Sequence, residues 1–593
     1  MALQKSKTDG RGIGLKTFRS YFLNLKKFQA PLEKFVFPVI LLLYPLIGLN
    51  LGLDITDTTY GLSNYEFLGS IDPMWALSTF LSNVLGRFFM HLPFGWTMLG
   101  ISVYCSFIIS LTALLPYYFL QKWMSGWMIF IGEFIAESLC WCPRVIMYNY
   151  LTYLFFTLGT LFLLVGIFEW ERQNLFLALA GVCFGMSVMA RFPNVVEAAM
   201  ILVLWFYGII TRDKFVEVLK KTFVCIAGYI VGLALPYLGI AGLYGPSAYF
   251  EMIGSLFGMT EKASDYSAGG MLSSIISAYF STASDMLIML PCIAAGVIMF
   301  MLLPERYIPV KKLLYIAGLL VLVKYYFSRG IFTRNYHYYD SVFKAAMMFV
   351  IITLILCVIG SIGVLNGSRQ EQTLAFAALM IMLITPLGSN NYTFPVINNL
   401  FIVAPVSLWL IRRMMQRAGE AHYNFAWQAM ISMVITVLIV QGIIFHFSFA
   451  FMDAVDGSER DSFCSIPKTS GMRTTSDNAD TLNELYLALS EEGLLQDKVL
   501  LFGGVPGLSY ILDMEPAIDT VWPDLDSYST AKFDDRLMQL STSGTVPTVI
   551  MGREMADYAN IGEKYDILMD YIVNHDYNKV FENNRFVVYS CSK

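Results

Sequence analysis

The chain has 593 residues, of which 56% are hydrophobic and 14% charged, with a net charge of −5. A soluble globular protein carries roughly 25% charged residues, so the composition excludes a soluble enzyme and describes a chain that crosses a membrane many times. Charge is divided unevenly: residues 453–593 hold 24 Asp plus Glu against 11 Lys plus Arg, a net of −13, which leaves +8 on residues 1–452. A basic apolar part and an acidic tail are two domains, and the acidic tail excludes nucleic acid as a partner.

Residues 1–33 form a basic cytoplasmic segment (Lys5, Lys7, Arg11, Lys16, Arg19, Lys26, Lys27) with no expected cleavable signal peptide, since no small-residue cleavage site follows the first apolar run. Residues 34–452 read as a transmembrane domain. Apolar segments at 34–53, 94–120, 126–141, 146–169, 175–190, 195–211, 222–243, 285–303, 312–327, 342–365, 373–387, 397–412 and 425–451 make about thirteen spans. Short basic loops such as Gln121-Lys122, Arg212 to Lys221 and Arg412 to Arg417 are expected inside. Two long loops, 54–93 and 245–285, are expected outside. An odd number of spans then places the tail outside as well. The expectation is a multi-pass plasma-membrane protein with a cytoplasmic N-terminus and an extracytoplasmic C-terminal domain.

Asp54 and Asp57 stand where the first apolar run, Phe35 to Leu53, ends. A carboxylate at a membrane edge is costly and usually has a task. The plain alternative is that Asp54 ends a helix and Asp57 solvates a loop. Later in this loop, Leu77, Phe80, Leu81, Val84, Leu85 and Phe88 recur at helical spacing after Asp72-Pro73, as in a helix lying in the interface. The second long loop has a similar stretch, Met271 to Phe280, behind the polar run Glu261 to Gly270, which contains Lys262.

Residues 453–593 alternate helix and strand patterns. Leu482–Leu489 and Tyr565–Val573 read as helices, and Lys498–Phe502, Thr548–Met551 and Arg585–Tyr589 as strands, so a small α/β domain is expected. Gly503-Gly-Val-Pro-Gly507 lacks phosphate-binding spacing and reads as a structural turn. Of nine cysteines, seven lie in apolar segments, and Cys140 and Cys142 lack the second pair of a zinc site. Cys464 and Cys591, near the two ends of the tail, are expected to form a disulfide.

Basic residues in the outer loops break the positive-inside trend. Arg144, Arg191, Lys262, Arg329 and Arg334 are candidate phosphate ligands, because cations gathered at one membrane level suit phosphate oxygens. For any one of them, snorkelling toward headgroups is the alternative. Asn149, Asn390, Asn391 and His337 fall at the same level and are candidate substrate contacts, although Asn is also common in turns. Glu133 and Glu137 share a face of one span, with Lys122 or Arg144 as a possible partner.

Together these features resemble GT-C integral-membrane glycosyltransferases that use polyprenyl-phosphate sugars, a group including protein O-mannosyltransferases and aminoarabinose transferases. The resemblance covers the whole architecture. Locally, Thr56-Asp57-Thr-Thr-Tyr60 with Asn64-Tyr65 resembles the first-loop acidic motif, and Pro143-Arg144 to Asn149 the segment opening the fourth span. The frequent Asp-Glu pair is absent, and Asn149 stands where an acid is common. The resemblance implies an α-helical polytopic fold and an inverting transfer of a hexosyl or pentosyl group. It implies Asp57 or Asp54 as the base, substrate contacts from Tyr60, Asn64 and Tyr65, and a polyprenyl-phosphate sugar as donor. The acceptor would be a glycan, lipid or protein, in contact with membrane lipid, and a divalent cation (Mg or Mn) is an open possibility. A lipid-linked oligosaccharide polymerase or ligase, a transporter or flippase, and a membrane-anchored binding protein are the competing readings.

Overall fold

Glycine brings two long helices into backbone contact. In the computed structural model, which describes residues 29–140, 145, 147–169, 171–260, 268–389, 391–420, 427–453, 458–553 and 560–591, helix Gln173–Ala190 packs along helix Phe215–Tyr244. A Cβ on Gly181 would strike the Cys225 carbonyl, and one on Gly185 the Tyr229 carbonyl. Reciprocally, Gly228 and Gly232 face the Ala178 and Val182 carbonyls. Hydrophobicity alone cannot hold helices together in lipid, so small residues that permit close packing take over that task.

Every apolar segment expected to span contains a helix. Among the described residues nine helices are long and apolar enough to cross a membrane. The rest are shorter, such as Gly126–Leu139 with 14 residues and Arg369–Ile384 with 16, or more charged, such as Ile308–Ser328 with three lysines. Large apolar side chains such as Leu238, Leu243 and Leu302 lie exposed, as lipid-facing residues do. The fold class is thus a polytopic helical membrane protein with a small α/β domain after the last span.

In the first long loop, helices Asp57–Glu66, Pro73–Ser78 and Phe80–Met90 follow one another. The last buries Phe80, Ser82, Asn83, Gly86 and Met90, with the Tyr65 ring against Gly86. Val84, Phe88, Phe94 and Trp96 are exposed, the orientation of a helix resting on an interface. The second long loop is largely helical, with Ala248–Thr260 and Ala268–Met286.

The C-terminal domain has four strands: β1 (Val499–Phe502), β2 (Thr548–Gly552), β3 (Asn578–Glu582) and β4 (Phe586–Ser590), ordered β1-β2-β4-β3. β1 and β2 are parallel, with Leu500 opposite Val549, and the other pairs are antiparallel. Both faces are buried, which explains the continuous apolar runs of β1 and β2. Leu500, Phe502, Val549 and Met551 meet Phe533, Leu537, Leu568 and Ile572 from the helices Thr530–Ser543 and Ile561–Asn574. Val499, Leu501, Ile550, Phe586 and Val588 join the same core as the membrane helices. β3 was not expected; its residues are mostly exposed and carry no apolar alternation.

The Cys464–Cys591 disulfide is not present; both thiols are free. Cys464 belongs to the segment whose Ser462 pairs with Thr474, and it packs on the core shared with the membrane helices. Cys591 follows β4, and its thiol donates to the His575 carbonyl at 3.2 Å. The start of the domain joins the first loop rather than the end of the sheet.

Candidate active site

The first loop is held from three sides. Leu53 N–H donates to Asp453 Oδ1 at 2.7 Å, and Asp453 also accepts from Thr474 Oγ1, from Asn478 Nδ2 and, at 2.7 Å, from Arg460 Nε. This buried carboxylate ties the end of the last span to the loop and to the domain. Further along, Lys468 pairs with Glu66, and Lys532 pairs with Asp72 and Asp519. Ser63 Oγ accepts from Tyr510 N–H at 3.2 Å. The five-residue turn Gly503–Gly507 rests on helix Asp57–Glu66, with Gly507 N–H donating to Ile55 O at 2.9 Å.

Within this frame the two aspartates differ. Asp54 is buried, and its carboxylate accepts from Thr56 N–H at 2.7 Å, Thr58 N–H at 2.7 Å and the Thr56 hydroxyl. It satisfies first-turn donors that have no partner inside the helix. Burial raises its carboxyl, and these hydrogen bonds oppose the rise. Asp57 is the first residue of the helix and lines a cavity of about 860 Å³. Burial, then the neighbouring Asp54 charge, push its carboxyl up to about 7, where a base is well matched to neutral pH.

The cavity collects residues from distant parts of the chain. Tyr148, Asn149 and Thr152 come from the first turns of helix Met147–Phe168. Arg191 follows helix Gln173–Ala190, and its guanidinium donates to the Gly388 carbonyl at 2.9 Å. Asn194 and Glu197 come from the 3₁₀ segment Phe192–Met200. His337 and Asp340 line it from one loop, Ser389 and Asn391 from another, and Asn398 and Phe449 to Met452 complete the wall. The volume lies within the ~300–1,000 Å³ range of small-molecule sites.

Of the residues expected at the site, the structure brings Asp57, Asn149, Arg191, His337 and Asn391 together around this cavity. Arg144, Lys262 and Asn390 lie outside the described residues. Arg329 and Arg334 are exposed beside the Tyr325 and Phe327 rings and are absent from the cavity lining, the arrangement that snorkelling produces. Tyr65 is a structural tie: its hydroxyl donates to Val145 O at 3.1 Å and accepts from Met147 N–H at 2.9 Å. Asn64 is buried in the same helix, and Tyr60 packs edge-on to Trp522 at 5.5 Å. Tyr60 and Asn64, three and seven positions beyond Asp57, share its side of the helix by period, so their absence from the cavity lining is decided by tertiary packing, Tyr60 against Trp522 of the C-terminal domain.

Glu133 and Glu137 are buried, with no hydrogen-bond partner among the described residues, and do not line the cavity. Lys122, a candidate partner, pairs with Glu169. Glu197, Asn194, Tyr148 and Asp340 were not expected as site residues. An acid inside the apolar segment 195–211 was the available signal for Glu197. No three His, Cys, Asp or Glu side chains come together as metal ligands among the described residues. No step below runs through a divalent cation.

No protein-family profile matches the chain, and no curated protein matches it. Among solved structures, it is similar to ArnT from Cupriavidus metallidurans bound to undecaprenyl phosphate, at 10% identity over 93% of this chain and 96% of that one, with a TM-score of 0.49. It is also similar to the oligosaccharyltransferase AglB from Archaeoglobus fulgidus in complex with an inhibitory peptide and a dolichol-phosphate, at 12% identity over 89% of this chain and 70% of that one, with a TM-score of 0.45. The Archaeoglobus fulgidus oligosaccharyltransferase tethered to an acceptor peptide aligns at 13% identity over 96% of this chain and 74% of that one, with a TM-score of 0.47.

Proposed function

We propose that this protein is a membrane glycosyltransferase that moves a hexosyl or pentosyl group from a polyprenyl-phosphate donor to an acceptor hydroxyl or amine outside the membrane. The observation that carries the proposal is the placement of Asp57 and Arg191 on one cavity where the first loop meets the helical bundle. The orientation, with a cytoplasmic N-terminus and an external C-terminal domain, follows the loop charges. The transfer is a single displacement with inversion. The acceptor oxygen or nitrogen forms a bond to the anomeric carbon as the bond from that carbon to the phosphate oxygen breaks. The acceptor proton passes to the Asp57 carboxylate, and polyprenyl phosphate leaves with the bonding electron pair. Arg191 offsets the charge that develops on the leaving phosphate. Asn149, His337 and Asn391 supply hydrogen bonds that orient the sugar.

Purified protein incubated with radiolabelled polyprenyl-phosphate sugars and extracted membrane glycolipid or glycoprotein acceptors tests this. Transfer by the parent chain, lost in Asp57→Asn, supports it. No transfer from any monophosphate donor, with transfer from a diphosphate-linked one, would establish the polymerase or ligase reading instead.

A further inference from the structure

Glu197 enters the cavity wall already oriented. Asn194 Nδ2 donates to Thr152 Oγ1 at 2.8 Å, to Ser187 O at 2.9 Å and to Ser187 Oγ at 3.0 Å. Ser187 Oγ donates in turn to Glu197 Oε1 at 3.0 Å. This chain of bonds fixes one carboxylate oxygen in place. The other, Oε2, is buried and has no hydrogen-bond partner among the described residues, on a side chain that is 2% exposed. Leaving a buried acceptor unsatisfied is costly. Glu197 lines the cavity that collects Asp57 and Arg191, so a small turn of its carboxylate presents this oxygen to a donor that the substrate can supply.

We infer that Glu197 is a sugar-specificity residue: its Oε2 accepts a hydrogen bond from one hydroxyl of the donor sugar. This rests on the glycosyltransferase reading above and extends it to how the sugar is chosen. Asp57 faces the reacting bond and Arg191 the phosphate. Glu197 shares its wall with Asn194 and Thr152 and is free to read a hydroxyl remote from the anomeric carbon. A site built to bind a hydroxyl rejects the analogue lacking it far more strongly than an apolar pocket rejects a missing methylene, because its own polar group is left unpaired.

The test uses the full chain in detergent with undecaprenyl-phosphate mannose, glucose, galactose and arabinose, then with each single-deoxy form of whichever sugar is transferred. With the parent chain, one deoxy analogue should lose kcat/KM by a factor on the order of 10²–10⁴. In Glu197→Gln the natural sugar should fall toward that level, and discrimination against that one analogue should shrink to within about tenfold. Discrimination at the other hydroxyls should persist. Undecaprenyl phosphate without a sugar should compete equally well in both proteins. Ser187→Ala, which frees Glu197 to turn and removes one of the three acceptors of Asn194 Nδ2, should show the same loss in weaker form and serves if Glu197→Gln does not fold. Unchanged discrimination at every hydroxyl in both variants would overturn the inference, as would loss of undecaprenyl-phosphate competition in Glu197→Gln. Absence of transfer of any sugar by the parent chain would overturn the underlying reading, and this inference with it.

Discussion

The Thr59 side chain fills the space that a Cβ on Gly507 would need, so the turn after β1 in the C-terminal domain and the helix that carries Asp57 interlock without clearance. The Gly507 N–H bond to Ile55 O, at 2.9 Å, lies at the same contact. The domain therefore packs directly on the segment that positions the proposed base.

Gly507→Ala should loosen this docking. Overpacking a close contact costs about 1–3 kcal/mol, so the melting temperature of the purified chain should fall. Sugar transfer should fall with it, because Asp57 moves with its helix. Gly562→Ala is the control: a Cβ there meets nothing within 4 Å, and the change should be neutral or slightly stabilising. Equal behaviour of the two variants would refute the interlock.

Asp57→Asn should reduce turnover by a factor on the order of 10²–10⁴, the range for general-base catalysis, with no loss of thermal stability. Asp54→Asn should do the reverse in kind. Its new amide would face N–H donors of Thr56 and Thr58, leaving one unpaired at a cost of about 1–3 kcal/mol. Thermal melts beside transfer rates separate the two roles.

The pH profile follows from the position of Asp57. Its folded carboxyl is raised to about 7, and the base is the deprotonated form. kcat/KM should be level above that pH and fall about tenfold per unit below it. Asp54→Asn removes the neighbouring charge, one of the two causes of the rise, so its acid limb should move to lower pH. Stability has the opposite sign. A carboxyl raised above its unfolded value of 3.8 favours the neutral form in the fold, so stability falls as pH rises toward about 7. Asp57→Asn should abolish that part of the fall, read from denaturant melts at pH 5 and pH 8.

Gly181→Leu should destabilise the helical bundle, since the new side chain meets the backbone carbonyl of Cys225, which cannot rotate away. A cost of at least about 1–3 kcal/mol is expected. It should appear as a lower melting temperature in detergent.

Unfolded but unreduced protein should take up maleimide at both Cys464 and Cys591, and a reductant should leave the native melting temperature unchanged. Protection of the pair until reduction would restore the bridge expected from spacing.

Periodicity and composition were sufficient for the fold class. Long uncharged runs become helices because lipid offers the backbone no partners, and β1, β2 and β4 were legible as apolar runs. β3 was not, because its exposed residues carry no burial pattern. At the site, Asp57, Arg191, Asn149, His337 and Asn391 were legible as polar groups at one membrane level, since depth can be read by counting along spans. Which direction each faces cannot be read that way. Tyr65 turned inward to Val145 and Met147, Arg329 and Arg334 turned to half-buried rings outside the cavity, and Asp54 closed on the start of the helix that follows it. Glu197 acquired its place only when Ser187 and Asn194 were folded beside it. Composition and period determine what lies in the membrane and at what depth; only packing between distant segments decides which polar groups share a cavity and which satisfy one another.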